Sequence, residues 1–375
     1  MKNKKNIFIA VVGIIIVVSV VLMGFKDNYA SSVNNSNFKA NNQEIVIGAV
    51  LSETGMASID GNNIKSGIEF AKEELAKKGV KVRVVYEDDQ TNPKNTVTAI
   101  QKLVDINHPQ ALIGPTWSFL ADAAGPIVEK NKLVTISPAN TSEFVTTNTD
   151  YFFFGAPKNT AKEVETTKWI KERDLKRIAI VVEKSGWGES HIVPFENAIK
   201  NAGAELVFTE RFNFSQNTTD GGDLKTIILK AKESGVDGIL YTGFDQSTAV
   251  LIGKKQELKA DFQILMATEI PLGLQKRGVV HITDADNMFA LIPQDSQSFN
   301  EAYKARYNEY PGSYADRGYD SLMLLVSALQ NKGNMNLKDY LKSNSSPKYK
   351  GYAGVYDFDQ KGDIKDSTWK VVKIK

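Results

Sequence analysis

The order of apolar and polar residues along the chain predicts alternating strands and helices. Residues 45–51 (IVIGAVL) form a continuous apolar run typical of a buried strand. Residues 64–76 then repeat apolar side chains at the spacing of one helical face. Further strands are predicted at 80–86, 111–113 and 133–136, and further helices at 95–106 and 118–130. This rhythm predicts a parallel sheet with helices on both faces.

The same rhythm restarts after Pro157 and predicts a second parallel sheet. The predicted strands are 178–182, 205–209, 238–241 and 263–266, and the helices are 160–173, 191–202, 223–233 and 247–259. Two more helices at 296–310 and 321–330 precede short strand-like pieces at 353–358 and 369–374. Two similar α/β halves predict a cleft between two lobes. Ligands favour such interfaces and the carboxyl ends of parallel strands.

The first 26 residues have the pattern of an export segment. Lys2, Lys4 and Lys5 precede residues 7–25, which carry no charge. This length fits a spanning helix of about 17–25 residues better than a secretory apolar region of about 7–15 residues. We therefore expect residues 1–26 to be a signal anchor, with a cleaved signal peptide as the alternative. Either places the body outside the cytoplasm, because the lysines stay inside. Residues 27–43, rich in Asn and Ser, predict a flexible tether.

The composition excludes several kinds of site. The formal net charge is +2, with charges of both signs interspersed, which gives no basic face for nucleic acid. The chain contains no cysteine, so disulfides and thiolate chemistry are excluded. His108, His191 and His281 lie far apart, so we expect no zinc site and no catalytic triad. We expect no cofactor, no metal and no enzymatic activity.

Polar residues follow the strands of the first predicted sheet. Ser118 comes directly after the strand and turn at 111–117, where it fits a helix N-cap. Together with the free N–H groups of the first helical turn, its hydroxyl would suit an anion such as a carboxylate. The loop at 137–142 (SPANTS) offers further hydroxyls at the same sheet edge. Ordinary turns between strand and helix remain the alternative for both segments.

Two residues after strands of the second sheet are candidates for the other side of the cleft. Trp187 lies between two glycines on a turn, a poor place for core packing and a good one for a pocket wall. Glu269 closely follows an apolar strand, and a partly buried carboxylate needs a cationic partner. That partner would be a ligand ammonium or, alternatively, a Lys or Arg of the protein. An amino acid carries both charges that these two sheet edges would bind.

At these residues the chain resembles the leucine/isoleucine/valine-binding family, the type I periplasmic binding proteins of ABC importers. The resemblance covers residues 44–375 and rests on the order of several motifs. They are IGAVLSETGMASIDG (47–61), YEDDQTNP (86–93), IGPTWS (113–118), ISPANT (136–141), GYDSLMLL (318–325) and YDFDQKGD (356–363). The resemblance implies two doubly wound lobes joined by three crossovers. Lobe 1 would comprise 44–156 plus 293–348, and lobe 2 would comprise 157–292 plus 349–375.

The resemblance also implies roles for individual residues. Ser118, Ala139 and Thr141 would hold the ligand carboxylate and help to fix the ammonium. Glu269 would pair with the ammonium. Trp187 and Phe244 would cover the ligand from the second lobe.

Asp60 stands where many members of the family carry an aromatic or apolar residue. If Asp60 faces the pocket, it disfavours a purely aliphatic ligand. The alternative is that Asp60 points to solvent.

We therefore expect a monomeric binding protein that closes on an amino acid, branched-chain or related, and delivers it to an ABC permease in the membrane. No nucleic acid is involved. The alternative is a membrane-tethered receptor or sensor for a small amino-acid-like or amide solute.

Overall fold

A computed structural model describes most of the chain. The described residues are 38–40, 43–140, 149–213, 222–268, 287–293, 296–343, 348–365 and 369–374. Within these ranges, no helix combines the length and apolarity that a membrane crossing requires. The predicted apolar segment at 7–25 lies outside them.

The described residues form eleven α-helices. They are α1 Ser58–Lys77, α2 Pro93–Lys102, α3 Ser118–Asn131, α4 Glu163–Glu172, α5 Gly186–Glu189, α6 Ile192–Ala202, α7 Gly222–Glu233, α8 Asp245–Glu257, α9 Ser296–Tyr307, α10 Ala315–Asn331 and α11 Leu337–Lys342. A π-helical turn at Leu103–Asn107 continues α2, and a 3₁₀ turn at Asn159–Lys162 precedes α4.

Thirteen strands lie within the same part of the chain. They are β1 Ile45–Leu51, β2 Val82–Asp88, β3 Ala111–Ile113, β4 Thr135–Ser137, β5 Phe152–Phe154, β6 Arg177–Glu183, β7 Glu205–Phe212, β8 Gly238–Thr242, β9 Gln263–Met266, β10 Met288–Pro293, β11 Tyr349–Lys350, β12 Val355–Tyr356 and β13 Trp369–Lys373.

The first sheet has the strand order β2-β1-β3-β4-β5, and all its described pairings are parallel. The central strand β1 matches the predicted strand at 45–51, and Ile47 pairs with both Val84 and Ala111. One face packs on α1 and α10, and the other packs on α2 and α3. The parallel sheet with helices on both faces is therefore confirmed. The strand β5, which has only three residues, was not predicted from the sequence.

The second sheet has the strand order β13-β10-β9-β8-β6-β7. Its pairings are parallel except for β10 with β13, which is antiparallel. The four strands predicted for this sheet, β6 to β9, pair in parallel as expected. The strand β10 and the place of β13 beside it were not predicted. Trp369, the first residue of β13, pairs with Pro293 at the end of β10. A strand that begins where its neighbour ends runs in the opposite direction, and mixed sheets commonly carry such an edge strand.

The tail between 348 and 365 packs on the first lobe, which corrects the expected boundary at 349. Tyr349, Tyr356 and Phe358 are buried in the same apolar core as β1. The backbone N–H of Phe154 in β5 also donates to the Gly362 carbonyl oxygen at 3.0 Å. The chain therefore passes to the second sheet only after residue 365. The apolar pattern at 353–358 predicted a strand but did not indicate which lobe this segment would pack against.

Candidate functional site

The first-lobe side of the cleft is formed where β3 and β4 end. Trp117 is the N-cap residue of α3, with extended backbone angles (φ −115°, ψ 161°), and Ser118 is the first helical residue. The expectation that Ser118 is the N-cap is therefore wrong by one position. Its hydroxyl is not drawn back to cap the helix and instead donates to Asn140 Oδ1 at 2.5 Å. This contact joins the two strand-end loops that the sequence analysis selected.

Ala139 and Asn140 lie immediately beyond β4, and both are buried. Their position beside Ser118 brings together two of the predicted ligand contacts of this lobe. Thr141, the third, lies outside the described residues. The backbone beyond β4 therefore lies at the same sheet edge as the first turn of α3, as expected for the carboxyl ends of neighbouring parallel strands.

Trp187 lies on the second-lobe side of the cleft, on the short helix α5. The hydroxyl of Ser185 caps this turn by accepting the Gly188 N–H at 3.0 Å. Gly188 passes so close to β6 that a Cβ atom there would lie 1.9 Å from the Glu183 carbonyl oxygen. Only glycine permits that approach. Backbone packing therefore requires the glycine that follows Trp187.

A buried polar network holds the backbone of Trp187. Its carbonyl oxygen accepts hydrogen bonds from Ser190 Oγ at 2.7 Å and from His191 Nδ1 at 2.9 Å. The other ring nitrogen of His191 lies 3.0 Å from Lys162 Nζ. An ammonium group can only donate, so His191 is neutral, with its proton on Nδ1. Burial and the Lys162 charge hold the pKa of His191 well below its usual range.

Phe244 is the N-cap residue of α8, beside Trp187. The buried carboxylate of Glu183, at the end of β6, accepts the Phe244 N–H at 2.9 Å and the Ser247 hydroxyl at 2.6 Å. Burial raises the pKa of Glu183, although these hydrogen bonds oppose the shift. One carboxylate thus joins the loop after β6 to the loop after β8.

Three aromatic rings connect the two lobes across the cleft. The ring of Trp117 stacks on Phe244, with centroids 4.6 Å apart and planes inclined by 14°. Phe244 stacks in turn on Trp187 at 5.0 Å and 24°. Asp60 Oδ2 on α1 accepts the indole N–H of Trp117 at 2.9 Å. Asp60 was expected either to face the pocket or to point to solvent. In the structure its carboxylate is turned to the cleft residue Trp117.

The structure thus brings Ser118, Ala139, Asp60, Trp187 and Phe244 to one cleft, and their role as ligand contacts remains a prediction. Glu269 lies outside the described residues. Across the described ranges, no group of three or more His, Cys, Asp or Glu side chains could hold a metal ion.

Two residues that shape this cleft were not predicted from the sequence. Trp117 is an aromatic residue on a turn after a strand, the property by which Trp187 was selected. Glu183 is an acid at the end of an apolar strand, the property by which Glu269 was selected. Applied to every strand end, the two criteria would have found both.

The fold and the cleft define a two-lobed α/β protein of the solute-binding class. The family model "Periplasmic binding protein" matches residues 44–375, and the chain belongs to this family. Its members bind solutes outside the cytoplasm and catalyse no reaction, so the expectation of a binding protein rather than an enzyme is confirmed.

Individual relatives agree with this assignment. The chain is 26% identical over 352 residues to a Leu/Ile/Val-binding protein of Citrobacter freundii, a match that covers 90% of this chain and 91% of the relative. Among solved structures, the fold is similar to LivJ of Streptococcus pneumoniae in complex with isoleucine (TM-score 0.71, 21% identity, 88% of this chain and 100% of that one). It is also similar to a solute-binding protein of Rhodopseudomonas palustris in complex with 3,4-dihydroxybenzoic acid (TM-score 0.76, 18% identity, 88% and 93%).

Proposed function

We propose that this protein captures an amino acid, branched-chain or related, and delivers it to an ABC permease. The observation that carries this proposal is the opposition of two complementary surfaces. Ser118 and Asn140, joined at 2.5 Å, lie on the first-lobe side of the cleft. Trp187 and Phe244 supply apolar rings from the second. The naming of several relatives as Leu/Ile/Val-binding proteins supports the same ligand class.

In this proposal, Ser118, Ala139 and Thr141 bind the ligand carboxylate and orient the ammonium, and Glu269 pairs with the ammonium. The Ser118 hydroxyl exchanges its bond to Asn140 Oδ1 for one to the carboxylate when the ligand binds. Asp60 Oδ2 accepts the Trp117 indole N–H, which is a neutral donor. The carboxylate therefore keeps its charge and disfavours a purely aliphatic ligand side chain beside it. We further propose that the protein works as a monomer and that residues 1–26 tether it to the cytoplasmic membrane.

An aromatic carboxylic acid is the second candidate ligand. The aromatic side chains gathered at the cleft favour it, because aromatic rings pair well with one another. The structural neighbour in complex with 3,4-dihydroxybenzoic acid has the same fold. The same first-lobe hydroxyl and N–H groups would bind its carboxylate, but it carries no ammonium for Glu269.

A thermal-shift screen of the full-length protein against amino acids and benzoates tests the proposal, followed by calorimetry. A ligand that binds only the folded state raises the melting temperature by mass action. We expect a shift with leucine, isoleucine or valine. If only benzoates raise the melting temperature, the ligand is the second candidate and not an amino acid. If neither series raises it, both ligand assignments are refuted.

Glu269→Gln separates the two ligands. Loss of the ammonium partner should weaken amino acid binding by on the order of 2–5 kcal/mol and leave benzoate binding almost unchanged. Unchanged affinity for the amino acid would show that Glu269 does not pair with the ammonium. Glu257→Gln, on the solvent side of α8, is the matched control.

A further inference from the structure

The contact between Trp117 and Phe244 joins the lobes through protein atoms alone. Trp117 belongs to the loop between β3 and α3 of the first lobe, and Phe244 to the loop between β8 and α8 of the second. Their centroid separation of 4.6 Å falls within the range of favourable offset stacking. The two rings touch only when the lobes lie together, so the pair stabilises the closed arrangement relative to any open one.

Each ring of the stack is held from behind by its own lobe. Phe244 is fixed through its backbone by Glu183, and Trp187 through its backbone by Ser190 and His191. Trp117 is fixed through its ring, because its indole N–H donates to Asp60.

Asp60 itself lies on a rigid support. It is in the first turn of α1, where a Cβ atom on the neighbouring Gly61 would lie 2.1 Å from the Ser52 carbonyl oxygen. This first turn is thus pressed against the end of β1. The Trp117 ring, held in this way, loses little rotational freedom when it meets Phe244, which favours the contact.

We propose that Trp117 is an affinity-determining residue that closes the cleft by stacking on Phe244, and that Asp60 is its positioning residue. Since apparent affinity scales with the population of the binding-competent form, a contact between the lobes that is made only on closure tightens ligand binding beyond what the ligand's own contacts supply. Its effect is expected mainly on the dissociation rate, because the closed cleft must open before a ligand leaves. An aromatic pair of this kind should change the ratio of closed to open molecules by about 2- to 12-fold.

The test measures the distance between the lobes in the ligand-free, full-length protein. Because the chain has no cysteine, Lys94→Cys in α2 and Glu196→Cys in α6 introduce two unique labelling sites. Both positions are exposed and lie in different lobes. Spin labels there report the distribution of distances by double electron–electron resonance.

Two variants of Trp117 separate the effect of its aromatic ring from the effect of its apolar volume. Trp117→Leu, which keeps an apolar side chain, should shift the distribution toward longer distances, whereas Trp117→Phe should keep the short one. Phe119→Ala is the control. Phe119 is an exposed aromatic residue of the same lobe as Trp117, with the two ring centroids 6.2 Å apart, and it does not belong to the stack between the lobes. A distribution in Trp117→Leu identical to that of the parent protein would refute the proposal.

A double-mutant cycle shows whether the two rings act through each other. Trp117→Leu and Phe244→Leu should each shift the closed-to-open ratio, and the double variant should shift it no further than the larger single effect. Independent effects that multiply would refute the stacking interaction.

Variants of Asp60 test its positioning role. Asp60→Ala should shift the distance distribution as Trp117→Leu does. Asp60→Asn should keep the distribution of the parent protein, because the amide oxygen can still accept the indole N–H. An equal loss in Asp60→Asn would refute the positioning role.

The expected effect on affinity rests on the proposed function, whereas the distance measurement needs no ligand. Stopped-flow dissociation of leucine should be faster in Trp117→Leu by about 2- to 12-fold. If leucine does not bind the parent protein, the proposed function fails while the distance result still decides the role of Trp117. If leucine binds and leaves both proteins at the same rate, the proposed role of Trp117 in affinity fails.

Discussion

The carboxylate of Glu183 accepts the backbone N–H of Phe244 at 2.9 Å, although 61 residues separate them. Glu183 ends β6 and Phe244 follows β8, and the two strands are neighbours in the second sheet. Through this bond one buried acid fixes the turn that carries a cleft-lining ring. The same acid accepts the hydroxyl of Ser247, so it organises the whole first turn of α8.

Removing this acid should destabilise the protein. Glu183→Ala leaves the Phe244 N–H and the Ser247 hydroxyl without their buried acceptor, at a cost of about 1–3 kcal/mol in the free energy of unfolding. Glu183→Gln keeps one acceptor oxygen and should lose less. Urea unfolding measures both, with Glu196→Ala on the exposed face of α6 as control. Equal stability of Glu183→Ala and the parent protein would contradict the anchoring role.

The two glycines that flank Trp187 should respond differently to substitution. Gly188→Ala places a Cβ atom 1.9 Å from the Glu183 carbonyl oxygen, so the backbone must shift, at a cost of about 1–3 kcal/mol in stability. A Cβ atom at Gly186 meets nothing within 4 Å, so Gly186→Ala is the matched control and should be nearly neutral. Thermal unfolding reports the change in stability, and near-ultraviolet circular dichroism reports any change in the packing of the aromatic residues. Similar losses in both variants would argue against this packing.

Asp320 should make stability fall as pH rises. Burial raises the pKa of Asp320 to about 7, although it accepts the N–H groups of Tyr352 and Ala353. The folded protein therefore keeps a proton that the unfolded chain loses above its usual pKa near 4. The contribution of Asp320 to the free energy of unfolding is therefore largest below pH 4. It should decrease as pH rises from 4 to 7, by about 4 kcal/mol in total.

Asp320→Asn tests this dependence, because asparagine does not titrate. Urea unfolding at several pH values between 4.5 and 8 should show the stability advantage of the parent protein over this variant shrinking as pH rises. Asp105→Asn changes an exposed carboxyl group and serves as control. Parallel curves for the parent protein and Asp320→Asn would rule out the raised pKa.

His191 should give a pH dependence of the opposite sign. Its pKa is held well below the usual 6.5, so on acidification the unfolded chain takes up a proton before the folded protein does. Stability should therefore fall as pH drops below about 6.5. His191→Gln should remove this decline, whereas His108→Asn at an exposed turn should retain it. Unfolding curves at pH 5 to 7.5 provide the comparison, and a decline that persists in His191→Gln would contradict the assignment.

Much of the architecture was predictable because it depends on local patterns. Burial on both faces makes the central strands continuously apolar, so β1, β3 and β9 were predicted with the bounds they have in the structure. The helix α1 was recognisable by its apolar stripe but begins six residues earlier, at Ser58, because its first turn is polar. The edge strand β5 was missed, since three residues carry too little periodicity to identify a strand.

The candidate cleft was only partly predictable. Strand ends cluster at one edge of a parallel sheet, so Ser118 and Trp187 could be selected from their positions alone, whereas Phe244 was proposed only through the family resemblance. No local pattern shows which loops of different lobes meet, and the pairing of Trp117 with Phe244 was therefore not predicted.

The sequence by itself thus determined the two α/β halves and the loops that line the cleft, because hydrophobic periodicity is a local property of the chain. The tertiary structure alone decided the attachment of residues 348–365 to the first lobe, the direction of β13 and the bond from Asp60 to Trp117. These depend on packing between segments up to hundreds of residues apart, and the free energy of such contacts leaves no periodic pattern in the sequence.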